Sequence, residues 1–304
     1  MPPPAIPFMT GFKMTPIRSV IVVVLFFIIG GLFADRPVSQ IGPPWGFVFN
    51  GWMGPPLDVI VYIPGKARTS TPILLVIPGA SRDAQRFHAS WLDLAKRNRF
   101  IVVTIGATKE HFPDEYSYNA GWVISKKGDP EHEDRWLFSA IEPLFKNVKE
   151  RYGLSAEGFY LFGHSAGGGF VHRYLLFKPD APVFRAVAAN PAFVTLPDRD
   201  VDYPFGIKNT RIQDSDIEKW VGHKLAVILG EEDLGPRTKP LSNGPKAREQ
   251  GPHCFARGQL LFNTAKEESK KKNTRFGWTL ITVPNVGHDN LRLVPYASDY
   301  LFGK

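Results

Sequence analysis

The pentapeptide Ile73-Leu74-Leu75-Val76-Ile77 carries no polar residue at either set of alternate positions and stops at Pro78-Gly79. A strand with one face in water alternates polar and apolar residues, so a strand apolar on both faces belongs in a sheet covered on both sides. Phe100 to Ile105, Phe159 to Phe162, Arg185 to Ala189, Lys224 to Leu229 and Trp278 to Val283 are further short apolar runs that read as strands. Trp45 to Phe49 and Asp58 to Tyr62, bounded by glycine and proline, read as opening strands. Helical stretches fall between them. The sequence predicts helices over about Ala84 to Arg97, Asp134 to Tyr152, Ala166 to Lys178 and Phe255 to Lys271, with Gly153 ending the second. Strand and helix in alternation specify an α/β fold, a mostly parallel central sheet with helices on both faces.

The most informative strand is Phe159 to Phe162, because Gly163-His164-Ser165-Ala166-Gly167 follows it and a predicted helix comes next. Gly-x-Ser-x-Gly alone is a weak signal, but strand, sharp turn and helix form the setting in which a serine is held outside the sheet as a nucleophile. Glycines flank it because a Cβ there would collide with neighbouring backbone. A serine hydroxyl needs a basic histidine, and that histidine needs an acid to fix its tautomer and balance its charge. The strand Lys224 to Leu229 ends in Gly230-Glu231-Glu232-Asp233, and Trp278 to Val283 leads into Pro284-Asn285-Val286-Gly287-His288. The C-terminal ends of parallel strands share one sheet edge, where Ser165, Asp233 and His288 can converge. Glu232 is the nearest rival acid, and Asp200 and Asp202 are weaker ones. The backbone N–H groups of Ala166 and of Ala80, in the loop Pro78-Gly79-Ala80-Ser81, are the expected oxyanion donors. In the bland alternative Gly79 merely ends its strand.

From about Trp45 to the end the chain resembles the α/β-hydrolase superfamily, through the Gly79-Ala80 loop, the Gly163 to Gly168 elbow, Gly230-x-x-Asp233 and Gly287-His288. More narrowly, Tyr62-Ile63-Pro64, Pro72 to Gly79, Leu94-Ala95, Phe100 to Val103 and the elbow resemble secreted esterases of the polyhydroxybutyrate depolymerase and feruloyl esterase type. Pro78 stands where many members have histidine, and the cysteine pairs of many secreted members are missing. The resemblance implies an α/β-hydrolase fold, a carboxylic ester substrate, small or polymeric, and an acyl-enzyme mechanism without metal or organic cofactor. A serine peptidase of the prolyl-oligopeptidase type and a non-catalytic, membrane-tethered binding protein are the competing readings. The chain has no room for a propeller-sized domain, and a binding module has no need of three such residues at separate strand ends.

The 304 residues carry a formal charge of +8. The charges are scattered, and the densest cluster, Lys270-Lys271-Lys272 with Arg275, follows Lys266-Glu267-Glu268 as the solvated end of an amphipathic helix. No aromatic and basic module is present, which argues against a nucleic-acid partner. Cys254 is the single cysteine, so an intrachain disulfide and a multi-cysteine metal site are excluded, and His253-Cys254 is read as structural. His164 is read as packing, turned away from the serine. His111, His132 and Tyr116 to Trp122 line a pocket or form a packed surface loop, and residues 190–223 are long enough for a small lid.

Residues 1–44 are read as an N-terminal segment and linker, and 45–304 as the catalytic domain. Val20 to Ala34 is uncharged and apolar, with Lys13 and Arg18 before it and Asp35 and Arg36 after it. That is the pattern of an export signal, short for a membrane span. A cleaved signal and an uncleaved anchor through residues 20–34 both fit, and both put the catalytic domain outside the inner membrane.

Overall fold

The computed structural model describes Met1 and residues 45–303, so the apolar segment 20–34 and the linker to Pro44 lie outside the described residues. Among the described residues no helix is long and apolar enough to cross a membrane.

Eight strands form one sheet in the order β1-β2-β4-β3-β5-β6-β7-β8. They are β1 (Trp45–Phe49), β2 (Leu57–Tyr62), β3 (Ile73–Ile77), β4 (Ile101–Gly106), β5 (Phe159–His164), β6 (Val183–Ala189), β7 (Leu225–Gly230) and β8 (Thr279–Val283). β1 and β2 pair antiparallel, as do β2 and β4, and every later pairing is parallel. The side-chain alternation sorts two cores. Ile73, Leu75 and Ile77 enter one, under α3 (Ile141–Tyr152), α4 (Ala166–Phe177), α5 (Asp214–Gly222) and α8 (Cys254–Lys271), which follows the short α6 (Pro240–Asn243) and α7 (Pro245–Glu249). Leu74 and Val76 enter the other, under α1 (Ala84–Ala89), α2 (Leu92–Asn98) and α9 (Asn290–Phe302). Both faces are covered, as the doubly apolar strands require.

Two helices depart from expectation. The helix expected over Ala84 to Arg97 is broken into α1 and α2, because Ser90 Oγ donates to the Phe87 carbonyl and Trp91 turns into the core. There its ring meets Phe162 edge-on at 4.8 Å and Phe100 at 6.0 Å. The helix expected from Asp134 starts only at Ile141, after two 3-10 turns at Glu133–Arg135 and Leu137–Ala140. Pro143 explains the start, since a residue without an N–H fits the first turn of a helix and breaks the interior. Gly153 closes it at φ 65°. The stretch 190–223 ends in α5, which packs on α4 and α8, and its Ala192 reaches the cleft wall.

Candidate active site

β5 delivers Ser165 at φ 59°, ψ −116°, a conformation that an L-residue adopts only under constraint. The constraint is close backbone packing. A Cβ on Gly163 would stand 2.1 Å from the Gly167 carbonyl oxygen, and one on Gly167 would stand 2.1 Å from that of Ile77. The Ser165 N–H is held by the Ala189 carbonyl at 2.9 Å, and its own carbonyl accepts from Gly169 at 3.0 Å, which starts α4.

Asp233 and His288, the expected acid and base, meet. His288 Nδ1 lies 2.6 Å from Asp233 Oδ2, and Asp233 is 1% exposed. Glu232 is exposed, and its backbone N–H donates to the Val286 carbonyl, so it ties the loop of Asp233 to the loop of His288. Asp200 is exposed too, with its N–H turned to Asp198. Ser165, His288, Gly79 and Ala80 line one cavity of about 800 Å³. A second cavity of about 340 Å³ joins Ser165, His288, Ala80 and Ala166, which brings every sequence-predicted site residue except Asp233 onto its wall. Asp233 stands behind His288, also 3.5 Å from Arg237 Nη2. With Nδ1 turned to Asp233, His288 keeps Nε2 for a proton from the cleft side.

A third cavity of about 500 Å³ also opens on Ala80 and Ala166. Tyr116, Tyr118 and Asn119 line it, so this part of the long connection after β4 forms a cleft wall. His132 does something else: its Nδ1 accepts from the Asp134 N–H and caps a 3-10 turn. Glu115 lies on the same wall, where burial raises its pKa and the Leu241 N–H, 2.8 Å away, opposes the rise.

His164 is a packing residue of a particular kind. Strand alternation puts it on the same face as Phe162, the face from which His288 arrives. Its ring leans on that of His288 with centroids 4.6 Å apart and on Phe87 at 6.3 Å. Burial lowers its pKa well below the ordinary imidazole value, with the charge of His288 acting in the same direction, so it stays neutral beside His288. His253 caps α8 by accepting from the Ala256 N–H, and Cys254 is buried with its thiol pushed up to about 12 by burial first and then by Asp233. The Cys254 Sγ, an Asp233 oxygen and a His288 nitrogen lie within 4.8 Å of one another, so the cysteine packs beside the Asp233–His288 pair.

Sequence reasoning passed over Asn190. It ends β6 at φ 41°, fully buried, and its amide nitrogen donates to the Gly287 carbonyl while its amide oxygen accepts from the Gly230 N–H. One side chain thus ties the strand end that precedes Asp233 to the loop that carries His288. Buried arginines do similar work: Arg173 bonds Thr195, Asn119 and Phe193, and Arg257 bonds Gly251, Ala192 and Ser242.

No protein-family model and no curated protein matches the sequence. Among solved structures, the chain is similar to poly(aspartic acid) hydrolase-1 from Sphingomonas sp. KT-1, with 34% identity and a TM-score of 0.82 over 86% of this chain and 99% of that one. A poly(3-hydroxybutyrate) depolymerase from Bordetella parapertussis is 26% identical, with a TM-score of 0.80 over 86% and 91% of the two chains. An S-formylglutathione hydrolase from Agrobacterium tumefaciens shares the fold at 18% identity and a TM-score of 0.58, over 88% and 97%.

Proposed function

Because this chain belongs to the α/β-hydrolase superfamily, we propose that it is a serine hydrolase that cleaves a carboxylic ester through an acyl-enzyme on Ser165. The observation that carries the reading is the 2.6 Å His288–Asp233 pair, set in the cleft that Ser165 also lines. In this mechanism His288 Nε2 takes the hydroxyl proton as Ser165 Oγ attacks the carbonyl carbon. Asp233 holds the imidazole tautomer and balances the imidazolium charge. The Ala80 and Ala166 N–H groups receive the oxyanion. The imidazolium then protonates the leaving alcohol, and a water molecule activated by the same histidine releases the acid.

A specific observation favours a second reading of the substrate, as a chain that carries carboxylates. Lys109, Lys126 and Lys239 line the 500 Å³ cavity beside Ala80 and Ala166, and among the described residues none of the three is in an ion pair. The nearby acids are engaged: Asp114 accepts from Ser117, and Glu115 accepts from Leu241. The poly(aspartic acid) hydrolase at 34% identity is consistent with that reading. Export belongs to the proposal as well, and rests on Lys13, Arg18 and the apolar run 20–34.

A fluorophosphonate probe tests the nucleophile. The wild-type protein is expected to be labelled and Ser165→Ala is not; equal labelling of both would refute the assignment. p-Nitrophenyl esters of graded chain length, run beside polyhydroxybutyrate, feruloyl esters and poly(aspartic acid), then separate the substrate readings. Turnover of none of the esters by unlabelled protein from a preparation that the probe labels at Ser165 would count against the ester class.

A further inference from the structure

An oxyanion donor on a loop is useful only if the loop holds its aim, and the loop Pro78 to Arg82 is held at both ends by side chains outside the expected triad. The Gly79 carbonyl accepts from the Arg82 N–H at 3.0 Å. In a planar trans peptide the N–H points opposite to the carbonyl, so tying the Gly79 oxygen into this turn turns the Ala80 N–H the other way. The turn also runs against the elbow: a Cβ on Gly79 would meet the His164 carbonyl oxygen at 3.4 Å and the Ser165 Cβ at 3.6 Å.

The turn requires Arg82 at φ 61°, a left-handed conformation that is costly for a residue with a Cβ. What holds it there is the guanidinium, which donates to the Ala107, Phe112 and Asp114 carbonyls at 3.1, 2.7 and 3.0 Å. The same guanidinium lies 3.7 Å from the centroid of the Tyr118 ring. Tyr118 in turn donates its hydroxyl to the Pro78 carbonyl at 2.5 Å, at the other end of the loop. Burial raises the Tyr118 pKa, so the hydroxyl stays a donor through neutral pH. Arg82 and Tyr118 therefore close a brace over the loop, with both ends pinned to the connection after β4.

We propose that Arg82 and Tyr118 are positioning residues for acyl transfer, which aim the Ala80 N–H at the oxyanion; this rests on the serine-hydrolase reading. Neither lines the two cavities that Ser165 and His288 share. Their loss weakens stabilisation of the tetrahedral state and leaves ground-state binding in place.

The test uses the full chain, p-nitrophenyl butyrate as substrate and phenylboronic acid as a tetrahedral-adduct probe. Tyr118→Phe removes only the hydroxyl, and Arg82→Lys keeps a charge but not the three-carbonyl fork. Active sites are counted by fluorophosphonate end-point labelling, so misfolded protein does not enter kcat. In both variants kcat per labelled site is expected to fall at least about tenfold, below the roughly hundredfold or greater loss of a whole donor. KM is expected to stay within about twofold, and boronate affinity to weaken by about the same factor as kcat/KM. Wild-type kcat per labelled site, or boronate affinity that does not follow kcat/KM, would overturn the brace. Failure of the wild-type protein to label at Ser165 would instead overturn the underlying reading of the site.

Discussion

At the scale of single residues, Asp233 reaches His288 Nδ1 at 2.6 Å and its neighbour Glu232 does not. Asp233 is buried behind His288, and one position earlier in sequence Glu232 is in solvent. Asp233→Asn keeps the shape but reverses which His288 tautomer is favoured, so kcat on a p-nitrophenyl ester should fall about 10³- to 10⁴-fold with KM nearly unchanged. Glu232→Gln should stay within about twofold, since surface changes away from such features are mild. A large loss in the second variant and a small one in the first would exchange their roles. That Asp233 and His288 would meet could be read in advance, because each follows an apolar run that ends at the same sheet edge. Asn190 could not. Its signal is a single asparagine at a strand end, and its two hydrogen bonds reach residues 40 and 97 positions away. The lean of His164 on His288 is likewise a consequence of which layer delivers the base, and no local pattern encodes it.

At the scale of elements, the strands were legible because burial on both faces leaves an unbroken apolar run, and the parallel order followed from alternation with helices. Helix boundaries were less so. Ser90 and Trp91 interrupt α1–α2 for the sake of an aromatic contact with β5, a tertiary cause invisible to periodicity. α9 was missed although Asp289 caps it with bonds from Leu291 and Arg292, because Pro295 and the preceding loop hide its pattern. The buried helix faces also hold histidines, with a consequence for acid stability. His88 on α1 meets Thr104 of β4 at 2.9 Å, and burial lowers its pKa to about 4. His172 on α4 accepts from the Thr195 N–H through Nε2, and burial holds its pKa well below the ordinary value. A histidine whose folded pKa is depressed takes up its proton more readily in the unfolded chain. Its stabilisation is complete above the unfolded value near 6.5 and is lost as pH falls toward the folded value. For His88 the loss between pH 6.5 and 4 is about 3 kcal/mol. Urea midpoints measured across this window should fall more steeply for the wild-type protein than for His88→Asn, which can keep a bond to Thr104. Parallel curves would mean that His88 does not contribute.

At the scale of the whole molecule, the question is whether the charge of +8 acts as a general field or at one place. Much of the positive charge is locally compensated, as where Lys270 and Lys271 pair with Glu267 and Glu268 on α8. The cleft arm with Lys109, Lys126 and Lys239 differs, because all three line the cavity and, among the described residues, none is in a salt bridge, although the charge of Lys239 also acts on Glu115. Exposed charges interact over roughly 8 Å at physiological salt, so these three lysines can act on a substrate in the arm, while distant ones are screened. The comparison is between mono-p-nitrophenyl succinate and p-nitrophenyl butyrate, similar in size and different by one carboxylate. Raising salt from about 0.02 to about 0.3 M shortens the screening length more than threefold, and kcat/KM for the succinate should fall several-fold while the butyrate stays within about twofold. Replacing the three lysines by glutamine should erase the difference at low salt. The same replacement at Lys270, Lys271 and Lys272 removes an equal formal charge and should leave it intact. If both triple variants lower the succinate rate alike, attraction comes from the net charge of the protein, and the arm is not a site for carboxylates.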